Sequence, residues 1–214
     1  MNQLVDLAVN RNTSQELPTT PECELCGGGD LRPEFAGVRD RLRHVAGEFD
    51  FYLCEQCKSV SLSPFPDESD VAGFYPASYM VREPGPEGGL AGLLRSIEWK
   101  TLFLPVYRSG ARTVIAMTGL KAGRILEIGC SSGYQLREFS KLGDFELVGL
   151  DIDELAVNHA SKVLGLTVRN KTLQSADFAP NSFDLVIMFN VLEHLVSPLE
   201  MFGQIRRILK PGGY

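Results

Sequence analysis

Ile125-Leu-Glu-Ile-Gly-Cys-Ser-Ser-Gly133 is the most informative segment of this chain. Its first residues form a short, mostly apolar run, which indicates a buried strand, and a helical pattern follows directly after Gly133. Gly129 and Gly133 allow a tight turn and a close approach of the backbone to a ligand. In β-α-β units, ligands bind where strands deliver their carboxyl ends. We therefore expect a ligand site around these two glycines.

The pattern continues after this segment as an alternation of strands and helices. The predicted strands are residues 124–129, 146–152, 166–169 and 183–190. The predicted helices between and after them are residues 133–142, 154–164 and 198–209. Continuously apolar strands that alternate with helices predict an α/β fold, in which a parallel sheet is covered on both faces.

An acid at the end of the second predicted strand narrows the choice of ligand. Asp151 follows the glycines by about 20 residues, a spacing that suits hydrogen bonds to ribose hydroxyls. A dinucleotide site would require Gly-x-Gly-x-x-Gly, but this template, laid over Gly129, meets Ser131 and Tyr134. Glu127 is unsuited to a diphosphate and well suited to an ammonium group. The pattern favours S-adenosylmethionine, whose methionine portion carries that group.

With these features, residues 124–214 resemble the class I S-adenosylmethionine-dependent methyltransferases of the small-molecule type, which have a Rossmann-like sheet. The family pattern, an acid followed by x-Gly-x-Gly-x-Gly, matches at Glu127, Gly129 and Gly133. The chain departs from it at Ser131, where we expect weakened rather than abolished donor binding. Later segments of the resemblance are Asn181–Ile187, Val191–Pro198 and Ile208–Gly213.

The resemblance implies a set of donor-binding residues. Asp151 would bind the ribose, Ile152 would pack against the adenine with Thr172 and Leu173 nearby, and Asn190 would lie near the methionine portion. Cys130 is expected to be a small loop residue without nucleophilic function, because no base is identifiable beside it. The full predicted set is Glu127, Gly129, Cys130, Ser131, Gly133, Tyr134, Asp151, Ile152, Thr172, Leu173 and Asn190.

A possible proton acceptor follows the fourth predicted strand. His194 has a side chain whose ordinary pKa suits general-base catalysis near neutral pH. Glu193 would orient it or help to hold a divalent ion, as the matching residues do in ubiquinone-pathway O-methyltransferases, which this segment resembles. The alternative is that His194 caps or packs at the start of a helix. His194 and Glu193 are the predicted catalytic residues.

Two Cys-x-x-Cys pairs precede this region. Cys23 and Cys26 form the first pair, and Cys54 and Cys57 the second, with 27 residues between the pairs. Two such knuckles joined by a hairpin predict a zinc-ribbon-like module, in which four thiolates hold a structural Zn²⁺. A redox pair and a rubredoxin-like iron site are the alternatives. With the Phe74-Tyr-Pro segment, the chain resembles a bacterial group related to sugar and secondary-metabolite C- and O-methyltransferases.

Composition sets limits on location and partners. The net charge of −6 and the acids interleaved among the arginines of residues 32–50 argue against a nucleic-acid partner. The first residues lack a basic signal-peptide start, and no apolar run is long enough to cross a membrane. Paired cysteines then indicate a reducing cytoplasm and metal binding rather than disulfides.

The expected organisation has four parts. They are a loose tail (1–20), the zinc-ribbon-like module (21–63), a linker and helical lid region (64–118) and a partial methyltransferase domain (119–214). The final turn, Lys210–Tyr214, would ordinarily lead into another strand, so we expect a fragment of a longer protein. The expected function is methyl transfer to an oxygen or carbon of a small molecule or activated sugar. The alternatives are an inactive donor-binding or protein-interaction fragment and an RNA methyltransferase.

Overall fold

The computed structural model describes residues 22–41, 47–63, 93–94 and 97–214. The chain divides into two compact units, Met1–Pro66 and Asp67–Tyr214. The tail predicted at 1–20, most of the linker predicted from residue 64, and the Phe74-Tyr-Pro segment lie outside the described residues.

The first unit is a small antiparallel sheet. Its strands are β1 (Leu31–Val38), β2 (Phe49–Cys54) and β3 (Val60–Ser63), in the order β1-β2-β3. Among the residues described here, the buried hydrophobic side chains of this unit are Cys23 and Cys54. A unit with so little apolar core needs a further source of stability, such as a metal or a disulfide.

The second unit alternates helices and strands. A π-helical turn, Trp99–Phe103, leads into α1, which begins at Leu104 and ends at Thr118. The following elements are β4 (Ala122–Ile128), α2 (Tyr134–Phe139), β5 (Asp144–Asp151), α3 (Glu154–Lys162), β6 (Thr167–Asn170), α4 (Leu173–Ala176), β7 (Leu185–Met188), a 3₁₀ turn (Leu192–His194) and α5 (Pro198–Ile208). No helix in the described part of the chain has both the length and the hydropathy that crossing a bilayer requires.

The four strands form the predicted parallel sheet, in the order β6-β5-β4-β7. Neighbouring residues of β4 face opposite sides: Leu126 joins a buried cluster with Phe183 and Ile208, while Ile125 joins another with Ala111 and Phe139. The chain moves outward from β4 to β6 and then returns to place β7 on the other side of β4. Ligands bind at such a switch point, beyond the carboxyl ends of the strands.

Candidate active site

A cleft of ≈ 670 Å³ opens at the carboxyl ends of β4, β5 and β7. Seven of the sequence-predicted site residues line it: Gly129, Asp151, Ile152, Thr172, Leu173, Asn190 and His194. Four further lining residues have polar side chains that the sequence pattern did not predict: Lys171, Gln174, Ser197 and Glu200. Glu200 had a weak signal, as an acid in the first turn of the predicted last helix, whereas Lys171 and Gln174 had none.

The backbone N–H groups of the loop between β4 and α2 donate hydrogen bonds to other protein atoms. The N–H groups of Gly129 and Cys130 both donate to the carbonyl oxygen of Leu150, at 2.8 and 3.0 Å. The Ser131 N–H donates to Asp151 Oδ2 at 2.6 Å. Because these three amides are already engaged, they are not a cradle for a diphosphate, which requires free N–H groups. The geometry agrees with the exclusion of a dinucleotide.

Ser131 stands where the resemblance implies a glycine, and its backbone conformation is one that favours glycine. Its φ is +47°, in the left-handed region. For a residue with a Cβ this conformation costs about 1–2 kcal/mol. The bond from its N–H to Asp151 helps to hold the loop in this conformation. The conformation of the loop and the position of Asp151, the predicted ribose-binding acid, are therefore coupled by this hydrogen bond.

Asp151 is held by backbone donors on both oxygens. Oδ1 accepts from the Asp153 N–H at 2.8 Å, and Oδ2 accepts from Ser131. A carboxylate oxygen can accept more than one hydrogen bond, so both oxygens can still accept from a vicinal diol. The next residue, Ile152, is 77% exposed and lines the same cleft, where a flat apolar ring would cover it.

Glu127 is the most unusual group at this edge of the sheet. Its side chain is 2% exposed, and in the described part of the chain its Oε2 atom has no hydrogen-bond partner. Burial raises the pKa of this carboxyl well above its ordinary value, the charge of Asp151 raises it further, and the Leu136 N–H opposes both. A buried acceptor without a partner is rare in native proteins and requires an explanation. A cation bound in the adjacent cleft would provide one.

Several predicted residues lie outside the cleft lining. The Tyr134 ring packs edge-on against Trp99, with centroids 4.9 Å apart, and its hydroxyl lies 3.2 Å from His159 Nε2. Cys130 is buried, which raises the pKa of its thiol, as suits a packed loop residue. Glu193 is exposed, whereas its neighbour His194 is partly buried and faces the cleft.

We expect Gly129→Ala to destabilise the fold, because a Cβ here would lie 2.4 Å from Val191 Cγ2 and the φ is +69°. Gly119→Ala is the matched control, since Gly119 also has a φ of +69° but open space around its Cβ position. The clash should cost Gly129→Ala about 1–3 kcal/mol more than the control in chemical unfolding. Equal losses would show that Val191 moves aside freely.

The four sequence-predicted cysteines come together in the first unit. Their Sγ atoms all lie within 4.8 Å of one another, and the pairs Cys23–Cys57 and Cys26–Cys54 are each 3.6 Å apart. Sulfurs bound at 2.3 Å to one tetrahedral Zn²⁺ would be about 3.8 Å apart, whereas a disulfide requires about 2.05 Å. All four are free thiols. The donor set and its spacing fit a tetrahedral thiolate metal site.

Both knuckles have the same backbone geometry. The Gly27 N–H donates to the Cys23 carbonyl at 2.7 Å, and the Lys58 N–H donates to the Cys54 carbonyl at 2.8 Å. Gly27 and Lys58 have φ values of +71° and +63°. The Ser59 hydroxyl, 3.4 Å from Cys23 Sγ, lowers the pKa of that thiol to about 6 and so favours the thiolate that metals bind.

Comparison with known proteins agrees with this geometry. Residues 126–214 match the family model described as "Methyltransferase domain". The chain is 35% identical over 103 residues to the sterol 24-C-methyltransferase ERG6B of Gibberella zeae, covering 44% of this chain and 27% of that one. It is 36% identical over 99 residues to the ubiquinone biosynthesis O-methyltransferase of Roseobacter denitrificans, covering 44% of this chain and 39% of that one. The matched part thus spans well under half of each of these relatives.

A solved structure shows the same fold. It is that of a Methanococcus maripaludis protein assigned as an S-adenosyl-L-methionine-dependent methyltransferase, with a TM-score of 0.51 and 25% identity. The match covers 60% of this chain and 65% of that one. Residues 126–214 therefore resemble a methyltransferase domain, and the α/β unit has a Rossmann-like fold like that of the Methanococcus maripaludis protein.

Proposed function

We propose that this chain transfers a methyl group from S-adenosylmethionine to an oxygen or carbon of a small molecule or activated sugar. The observation that carries the proposal is the buried carboxyl of Glu127, whose Oε2 atom has no hydrogen-bond partner among the described residues. Glu127 lies at the end of β4, the strand that leads into the cleft lined by Gly129 and Asp151. One relative is named as a C-methyltransferase and another as an O-methyltransferase, and both names indicate small-molecule acceptors.

The residues at this edge fit the donor. Glu127 would pair with its ammonium, Asp151 would accept from the two ribose hydroxyls, and Ile152 and Leu173 would contact the adenine. When bound, S-adenosylmethionine supplies an activated methyl group on a sulfonium, so the protein acts mainly by positioning. Asn190, with a φ of +54° at the end of β7, would lie near the methionine portion.

We assign the proton-accepting role to His194. Its side chain lines the cleft, and its backbone N–H donates to the Val191 carbonyl at 3.0 Å, which fixes the turn that carries it. An acceptor hydroxyl or acidic carbon must lose a proton as it is methylated, and a neutral imidazole is a suitable base. Glu193 would support His194 from outside the cleft lining.

His194→Asn should lower methyl transfer by about 10²–10⁴-fold while donor affinity stays within a few-fold of wild type, because only the proton acceptor is lost. Glu193→Gln is the neighbouring control, and we expect a smaller loss from it. Donor affinity is measured by calorimetry, and turnover by release of S-adenosylhomocysteine with a panel of phenols and nucleotide sugars. Donor binding without turnover of any acceptor would favour a binding module, and no donor binding would refute the proposed function.

We further propose that Cys23, Cys26, Cys54 and Cys57 hold a structural Zn²⁺. Four thiolates fill every tetrahedral position, which leaves no open position for substrate or water. The role of the metal would be to hold the two knuckles together at the end of the small sheet.

A further inference from the structure

A cluster of three cations lies between α1 and α2, outside the donor cleft. Arg108 and Arg112 are one turn apart on α1 and so share a face of that helix. Lys141 follows the end of α2. The three side chains line one cavity of ≈ 240 Å³, together with Glu138 and Leu142.

Glu138 organises this cluster. Its side chain is 3% exposed, and its two oxygens pair separately with Lys141 Nζ and, at 3.4 Å, with Arg108 Nε. The Arg108 and Lys141 side chains remain 48% and 46% exposed. Both are restrained by Glu138 and are still accessible to a ligand from solvent. A guanidinium has five N–H donors and an ammonium three, and one bond to Glu138 leaves most of them for a ligand.

The charges of the lining residues do not balance. Three cations face one carboxylate, and in the described part of the chain no other acid lines this cavity. Arg108 and Lys141 already compensate Glu138, so Arg112 is in excess of what the buried acid requires. A net charge of +2 matches a dianion, and arginine forks suit the oxygens of phosphate.

We propose that this cavity binds a phosphate dianion, either free or as the terminal group of a small phosphorylated molecule. Glu138 restrains two of the cations before the ligand arrives, which reduces the entropy lost on binding. Arg112 supplies the additional charge and donors. The site is separate from donor binding and does not depend on the proposed methyl transfer.

The test is calorimetric titration of the full chain with inorganic phosphate and with glucose 1-phosphate, against sodium chloride of matched ionic strength. Arg112→Gln should weaken binding of both by roughly tenfold, because it removes a charged donor. Arg206→Gln, which changes an exposed arginine of α5, should leave binding unchanged. Tighter binding of glucose 1-phosphate than of phosphate would identify a phosphorylated sugar as the ligand class, and equal binding would identify the oxyanion alone.

Two results would overturn the proposal. One is no phosphate binding beyond the chloride control, and the other is equal weakening by Arg112→Gln and Arg206→Gln, which would reflect general screening. Circular dichroism verifies that each variant is folded. If Arg112→Gln is unfolded, Arg112→Lys replaces it, and a loss of affinity is still expected because lysine lacks the planar fork.

Discussion

Removal of metal from the reduced protein is expected to unfold the first unit and leave the second folded. The described residues of the first unit bury only two hydrophobic side chains, both of them predicted metal ligands. Structural Zn²⁺ contributes about 10–16 kcal/mol of apparent free energy in small zinc modules, far more than this core can replace. Hydrogen exchange after chelation should therefore show loss of protection in β1–β3 and retained protection in β4–β7.

Single cysteine variants test which residues hold the metal. Cys26→Ser should lower the metal content of the purified protein and expose β1–β3, whereas Cys130→Ala should retain one metal ion per chain. Cys130 lies in the second unit and is not in the cluster. Elemental analysis also distinguishes colourless zinc from iron. A metal-free, reduced protein in which β1–β3 stay protected would refute the structural-metal proposal.

Glu127→Gln is expected to stabilise the fold near neutral pH and to weaken donor binding. The folded-state pKa of Glu127 is raised above the unfolded value of about 4.5, so the unfolded chain releases this proton first as the pH rises. Wild-type stability must then fall between pH 4.5 and the folded-state pKa. The variant should match wild type at pH 4 and exceed it by about 1–3 kcal/mol at neutral pH.

Glu127→Gln is expected to impair donor binding although it stabilises the fold. Loss of the carboxylate removes the proposed partner of the donor ammonium, and a charged hydrogen bond of about 1.5–3 kcal/mol corresponds to a loss of affinity of roughly 10- to 150-fold. Urea unfolding from pH 4 to 8 and donor calorimetry measure the two effects. Unchanged donor affinity would remove Glu127 from the proposed site.

Glu138→Gln is the matched control for both measurements. Glu138 is also a buried glutamate, but it is paired with Arg108 and Lys141. Its neutralisation leaves two cations without their partner, so we expect lower stability at neutral pH and unchanged donor affinity. If both variants shifted stability in the same direction, the contrast between a buried carboxyl without a cationic partner and one paired with two cations would not hold.

Seven residues of the cleft lining could be predicted, because they lie close to strand ends. Gly129, Asp151 and Asn190 lie at or just beyond the carboxyl ends of apolar strands, and in a parallel sheet all carboxyl ends meet at one edge. Residues that depend on packing between helices could not be placed in this way. The resemblance implies a donor contact at Tyr134, which stays a prediction. The packing of its ring against Trp99, in a helical turn 35 positions earlier in the sequence, could not be predicted from local pattern.

The local sequence pattern alone predicted a parallel α/β sheet with a glycine loop and an acid at the end of the next strand. It also predicted four cysteines in two knuckles. Strand period, turn residues and metal-ligand spacing are short-range properties of the sequence, and they are sufficient to predict the sheet, the loop and the knuckles. The tertiary structure decided which carboxylates are paired. Glu127 and Glu138 are both buried, but only Glu138 meets cations, because the packing of α1 against α2 brings Arg108 to it and brings none to Glu127. Lys141 is close to Glu138 in sequence, but Arg108 is far from it, and only the packing of the two helices brings Arg108 and Glu138 together.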